Sequence, residues 1–124
     1  MRFLIVDDSA TMRRIIANTL GKLGYADVVQ AEDGVDALAK FDASISFVIT
    51  DWNMPRMSGA ELAAALRARP DGQQVPILMV TARSERDDLV EALTRGVNNY
   101  IVKPFTPQVL KEKLDSLTAM VGHP

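Results

Sequence analysis

At 124 residues the chain is long enough for one domain with a true core and too short for two of ordinary size, which predicts a single domain over 1–124 with no fused output module. Its 14 basic and 16 acidic residues are interspersed and leave a formal charge of −2, so there is no electrostatic footprint for nucleic acid or an anionic membrane surface. Cysteine is absent, which excludes disulfides, thiolate catalysis and zinc–thiolate sites. With no signal-peptide pattern, no apolar stretch of membrane-spanning length and no exposed apolar stripe, a soluble cytoplasmic monomer is expected.

The first element is the run Phe3-Leu4-Ile5-Val6, too short for a helix and rich in β-branched and aromatic residues, the pattern of a strand buried on both faces. A helix follows in which Met12, Ile15, Ile16, Thr19, Leu20 and Leu23 share a face, Arg13 and Arg14 point outward, and Gly24 supplies a left-handed cap. Residues 28–31 make the second strand, Glu32-Asp33-Gly34 a turn, and 35–41 a second helix. Phe47-Val48-Ile49-Thr50 is the third strand. Pro55 and Gly59 make the stretch from Met54 to Gly59 a loop, after which 60–68 is helical and closed by Pro70-Asp71-Gly72. The run 75–80 is the fourth strand, a helix from about Glu85 to Arg95 carries Leu89, Val90 and Leu93 and stops at Gly96, and 99–102 is the fifth strand. Thr106 as N-cap and Pro107 at the first helical position open a last helix that ends near Val121. The alternation predicts an α/β fold, a doubly wound parallel sheet of five β/α units covered by helices on both faces.

Ligands of such sheets bind beyond the carboxyl ends of the strands, where strand order reverses. Asp7 and Asp8 follow the first strand, Asp51 the third, Thr81 the fourth and Lys103 the fifth, so all are expected on one edge. Singly, each has a plain explanation: Asp8 or Ser9 as a helix cap, Thr81 as a good strand terminus, Lys103 as a solvated charge. Together they point elsewhere, because three carboxylates in one crevice repel and raise one another's pKa unless a cation sits among them. Oxygen ligands without His or Cys suit Mg²⁺, which keeps several waters and accepts one or two carboxylates plus phosphate oxygens. Asp51 is then the nucleophile, forming an acyl phosphate, while Mg²⁺ and Lys103 neutralise charge on the phosphoryl oxygens and the Thr81 hydroxyl donates to one of them. Pro104 restricts the backbone of Lys103 and admits a cis bond.

The ordered segments VDDSATMRR, AEDGVDAL, ITDWNMPRMSG, ILMVTA and YIVKPF resemble the receiver domain of two-component response regulators, in particular its single-domain chemotaxis members, over essentially the whole chain. The resemblance implies a flavodoxin-like fold with strand order 2-1-3-4-5. It makes Asp51 the phosphoacceptor, Asp7 and Asp8 the magnesium acids, the Asn53 backbone carbonyl a further metal ligand, Thr81 the switch hydroxyl and Lys103 the phosphate-binding lysine. It also implies a histidine kinase as phosphodonor, the flagellar motor switch protein as target, a phosphatase as a further partner, and a switch that catalyses its own phosphorylation and dephosphorylation rather than a conventional enzyme. Tyr100 becomes the switch aromatic, although strand packing alone would also account for it. Leu89, Tyr100, Phe105 and Lys113 form the implied partner-binding face, and Arg13 and Arg14 lie near the implied kinase-docking helix. Trp52 is either a reporter beside Asp51 or an apolar cover for the sheet edge.

Two positions depart from the chemotaxis pattern: Arg83, where an acid is common two residues after the switch threonine, and Ser9, where a bulkier residue often follows the paired acids. Both flank the phosphoryl pocket, so the phosphoryl lifetime does not carry over from the family. A flavodoxin would share the sheet, but Asp7-Asp8 would repel a flavin phosphate. A haloacid-dehalogenase-type phosphatase carries a second acid two residues past its nucleophile, where this chain has Asn53. A pseudo-receiver adaptor would not need the full set of site residues. Within the receiver class the runner-up is a phosphorelay intermediate or phosphate sink without motor binding. His123, solitary near the terminus, has little support as a donor or ligand.

Overall fold

The protein is seen in a computed structural model that describes residues 1–82 and 86–120, the side chains of 86–89, 119 and 120 excepted. In chain order the elements are β1 (Phe3–Val6), α1 (Ala10–Lys22), β2 (Val28–Ala31), α2 (Gly34–Lys40), β3 (Phe47–Asp51), α3 (Gly59–Arg67), a 3₁₀ turn (Pro70–Gly72), β4 (Ile77–Thr81), α4 (Arg86–Thr94), β5 (Asn99–Val102) and α5 (Pro107–Met120). The strands form one parallel sheet in the order β2-β1-β3-β4-β5, the doubly wound, flavodoxin-like arrangement expected from the sequence. Among the described residues, no helix is long and apolar enough to cross a membrane.

The continuous apolar strands are explained by cover on both faces. Phe3, Ile5, Phe47, Ile49, Leu78, Val80 and Ile101 pack with Ile16 and Leu20 of α1 and Leu110, Leu114 and Leu117 of α5. The alternate residues Leu4, Val6, Val48, Ile77 and Met79 pack with Ala37 of α2, Leu62, Ala63 and Leu66 of α3 and Ala92 of α4. Each fully buried large side chain contributes about 1.5–3 kcal/mol, so the two half-cores fix the register. That register aligns Asp51 with Val80 and Thr81 with Val102, which brings the polar strand ends level.

Helix ends follow local chemistry. The Ser9 hydroxyl caps α1 by accepting from the Met12 amide at 3.2 Å, so the capping role falls to Ser9 and leaves Asp8 exposed. Past Lys22 the chain turns through Gly24 at φ +96°, and the Tyr25 amide reaches back to the Leu20 carbonyl at 2.9 Å. The Ser58 hydroxyl and the Glu61 carboxylate form a capping box on α3. Gly59 therefore opens that helix instead of belonging to the loop before it. The expected Thr106 cap is present, accepting from the Val109 amide at 3.2 Å, and Gly96 stops α4 at φ +111°.

Three further sequence expectations need correction. Ile15 is 46% exposed, because the stripe of α1 that meets the sheet is narrower than the periodicity allowed and centres on Ile16, Thr19 and Leu20. Arg13 does not simply point outward: it is half-buried and donates to the Asp7 carbonyl at 2.6 Å and to Gln30 Oε1 at 3.2 Å. The fourth strand begins at Ile77, two residues later than the apolar run, since Pro76 has no N–H for the ladder and the Val75 carbonyl is taken by Arg67 at 2.6 Å. Arg83 and His123 lie outside the described residues.

Candidate functional site

Beyond the carboxyl ends of β1, β3 and β5 the chain collects opposite charges in a small volume. One carboxylate oxygen from each of Asp7, Asp8 and Asp51 lies within 4.8 Å of the others. The Lys103 ammonium stands 3.4 Å from Asp7 Oδ2 and 3.5 Å from Asp51 Oδ1, bridging the two. Asp7 is buried and its Oδ1 accepts from the Ser9 amide at 2.9 Å, while Asp51 Oδ1 accepts from the Trp52 amide at 2.8 Å. Asp7 and Asp51 are thus each aimed by a backbone amide one or two residues further along the chain, a result of placing Asp at the junction of strand and loop.

Burial pushes the Asp51 carboxyl above its ordinary value; the Lys103 ammonium opposes that and the neighbouring Asp7 carboxylate adds to it. A carboxyl held in that condition is stabilised by any cation that joins the cluster. The donor set is entirely oxygen, without sulfur or imidazole, and so fits a hard divalent ion with room left for water and phosphoryl oxygens.

Thr81 ends β4 fully buried, and its carbonyl accepts from the Lys103 amide at 2.7 Å, so the hydroxyl-bearing strand and the lysine are joined through the main chain. The peptide bond from Lys103 to Pro104 is cis. Met79 pairs with Tyr100 and Thr81 with Val102, which puts Tyr100 on the same face of the sheet as Thr81. Tyr100 is half-buried, with the Lys113 ammonium 5.8 Å from its ring centroid. The Lys113 ammonium also donates to Asn99 Oδ1 at 3.4 Å, and Phe105 packs half-buried against the α1/α5 half-core. Asn53 is exposed in the loop after β3; Leu89 belongs to α4, with its side chain outside the described residues. Trp52 is 6% exposed and packs in the α2/α3 half-core, which agrees with its reading as apolar cover.

Two contributors escaped the sequence reasoning. Arg13 secures the Asp7 carbonyl and so the turn that carries both paired acids; its place four residues after the Ser9 cap was the available signal. Arg56 donates from Nε at 3.0 Å, and from Nη2, to Asp33 Oδ2, tying the loop after β3 to the start of α2. Nothing local in the sequence marks that pair, whose members are 23 residues apart.

Comparison with known proteins agrees with this geometry. The family model described as response regulator receiver domain matches residues 3–115. The chain is 56% identical over 117 residues to the chemotaxis protein CheY1 of Helicobacter pylori, covering 93% of this chain and 94% of that one. The chemotaxis protein CheY4 of Vibrio cholerae superposes with a TM-score of 0.86 at 36% identity, covering 94% of this chain and 97% of that one. The receiver domain of a sensor histidine kinase from Pseudomonas aeruginosa, with a magnesium ion coordinated in its active-site cleft, superposes with a TM-score of 0.84 at 28% identity, covering 95% and 97%. Sequence match, sheet order and acid cluster agree: the chain belongs to the response regulator receiver family, whose members signal through a phosphoaspartate and are not conventional enzymes.

Proposed function

We propose that this chain is a cytoplasmic chemotaxis response regulator, one receiver domain over residues 1–124 acting as a monomer, that takes a phosphoryl group from a histidine kinase onto Asp51 and then binds the flagellar motor switch. The observation that carries this reading is the bridging of Asp7 and Asp51 by Lys103 at 3.4 and 3.5 Å beside Asp8. It is supported by relatives that are chemotaxis proteins over nearly their whole length.

A carboxylate oxygen of Asp51 attacks the phosphorus of the donor's phosphohistidine. The new O–P bond forms as the N–P bond breaks, and the imidazole leaves with the electron pair. Asp7, Asp8, Asp51 and the Asn53 carbonyl would hold Mg²⁺, which would supply charge neutralisation at the phosphoryl oxygens. Lys103 gives up its contact with the Asp51 carboxylate and meets a phosphoryl oxygen, while the Thr81 hydroxyl donates to another. Hydrolysis by in-line attack of water, assisted in the cell by a phosphatase, returns the carboxylate and releases phosphate. Movement of Thr81 and Lys103 toward the phosphoryl group makes room for an inward rotamer of Tyr100, and the change is read by the partner on the face carrying Leu89, Tyr100, Phe105 and Lys113.

The test is intact mass after incubation with acetyl phosphate and Mg²⁺. A single phosphoryl adduct is expected, labile to hydroxylamine and lost both in Asp51→Asn and with chelator. An adduct that persists in Asp51→Asn would sink the assignment. Phosphoryl return to a histidine protein, with no phosphorylation-dependent binding to a flagellar switch peptide, would instead identify a phosphate sink or relay intermediate.

A further inference from the structure

The loop between β3 and α3 carries the one ligand of the proposed magnesium set that is a backbone atom, the Asn53 carbonyl. No side-chain torsion can re-aim a carbonyl, so its direction is fixed by the conformation of the loop. The base of the loop is closed tightly. The Gly59 amide donates to the Trp52 carbonyl at 2.8 Å, and a Cβ on Gly59 would stand 2.2 Å from the Asp51 carbonyl oxygen, an approach only glycine permits.

The far side of the loop is held by a different element. Arg56 sits at φ +69°, a left-handed conformation that costs a side-chain-bearing residue energy and persists only where the surroundings impose it. The Met57 amide closes the turn around it by donating to the Pro55 carbonyl at 2.8 Å, and the Arg56 side chain is anchored as well. Its guanidinium donates through two nitrogens to Asp33 Oδ2, whose side chain is only 4% exposed and whose other oxygen caps α2 by accepting from the Asp36 amide at 2.8 Å. Both interactions hold the Asp33 carboxyl below its ordinary value, the Asp36 amide most strongly. The adjacent Met57 lies against Gly34, where a Cβ would come within 2.7 Å of the sulfur.

We propose that Arg56 is a positioning residue for the metal site: its ion pair with Asp33 latches the loop after β3 to the N-terminus of α2 and thereby sets magnesium affinity without touching the ion. This rests on the ligand role proposed above for the Asn53 carbonyl. Partners that orient metal ligands typically carry effects of about 10–100-fold on affinity; Arg56 is itself largely exposed, which puts its effect near about tenfold and makes it weaken with salt.

The experiment pairs calorimetric titration of the full chain with Mg²⁺ and amide hydrogen exchange of the metal-free protein, for wild type, Arg56→Ala, Arg56→Lys, Arg56→Gly and Asp33→Asn. Asp33→Asn keeps a capping oxygen for α2 and replaces the charged acceptor that faces Arg56 with an NH2 donor. Arg56→Gly adopts the left-handed backbone freely and loses only the latch. Arg56→Ala, Arg56→Gly and Asp33→Asn should each bind Mg²⁺ about tenfold more weakly, with faster exchange confined to residues 52–58, and Arg56→Lys should recover part of the loss. Magnesium affinity unchanged in Arg56→Ala, or lost with exchange raised across the whole sheet, would overturn the latch. A wild-type chain that binds no Mg²⁺ would overturn the metal reading itself, and the inference with it.

Discussion

At the carboxyl edge of the sheet Asp7, Asp8 and Asp51 crowd against one ammonium, whereas at the amino edge the Arg67 guanidinium lies among neutral acceptors, the carbonyls of Gly72, Val75 and Gly96 and Asn98 Oδ1, at 2.6–3.1 Å. Both edges are built from short connections on the same strands. At the amino edge every contact closes a connection: Arg67 ends α3 and gathers the 3₁₀ turn, the start of β4 and the turn before β5. Burial disfavours its charged form, and several hydrogen bonds compensate. At the carboxyl edge the charges do not compensate one another, and burial plus Asp7 raise the Asp51 carboxyl despite Lys103. Folding alone gains nothing from such an arrangement. Excess like charge at one sheet edge, against a guanidinium whose hydrogen bonds are met at the other, is the pattern that a cation or a phosphoryl group would relieve.

The comparison can be broken most sharply at Lys103. Lys103→Met leaves Asp7 and Asp51 without their shared counter-charge and removes a donor from the phosphoryl oxygens, so phosphorylation by acetyl phosphate should slow by about 100-fold in stopped-flow fluorescence, with the fold retained. A rate within a factor of two of wild type would remove Lys103 from the mechanism. Arg67→Met should do the reverse. Stripping the guanidinium from three carbonyls and an amide oxygen should cost about 2–4 kcal/mol in urea denaturation, while the folded protein phosphorylates at the wild-type rate. Loss of activity without loss of stability would erase the contrast between the edges.

A smaller effect follows from the sign of the Asp51 shift. Its carboxyl binds a proton more readily in the folded chain than in the unfolded one, so its charge destabilises the metal-free protein as pH rises from the ordinary value of 3.8 through the raised one. Asp51→Asn should therefore melt at a higher temperature than wild type near neutral pH in chelator, and the gain should vanish below about the ordinary carboxylate value. Adding Mg²⁺ should reverse the ranking by stabilising wild type selectively. Equal melting temperatures at pH 7 in chelator would mean that the cluster is not electrostatically strained.

Much of this was legible in the sequence because a parallel sheet writes itself plainly. Buried strands are continuous apolar runs, and the polar residue that ends each run is placed by topology on a common edge; Asp7, Asp8, Asp51, Thr81 and Lys103 were recoverable for that reason. The stops at Gly24 and Gly96 were legible because a left-handed turn selects glycine. Arg13 was not, since helical periodicity assigns a face to a Cβ but does not measure how far a long side chain bends back. Nor was Arg56, whose partner is distant in sequence and whose backbone angle is one that its residue type argues against. Ile15 misled because an apolar residue on a helix need not be buried when neighbouring positions already fill the contact.

The Gly96 carbonyl accepts two bonds from Arg67, at 2.8 and 3.1 Å, immediately after α4, whereas the helix is entered from the Thr81 end of β4. In mechanical language the foot of α4 is a clamp: one guanidinium pins Gly96 together with the 3₁₀ turn and the start of β4, so any load on the helix is passed at that end to the frame of the sheet and not to a loose turn.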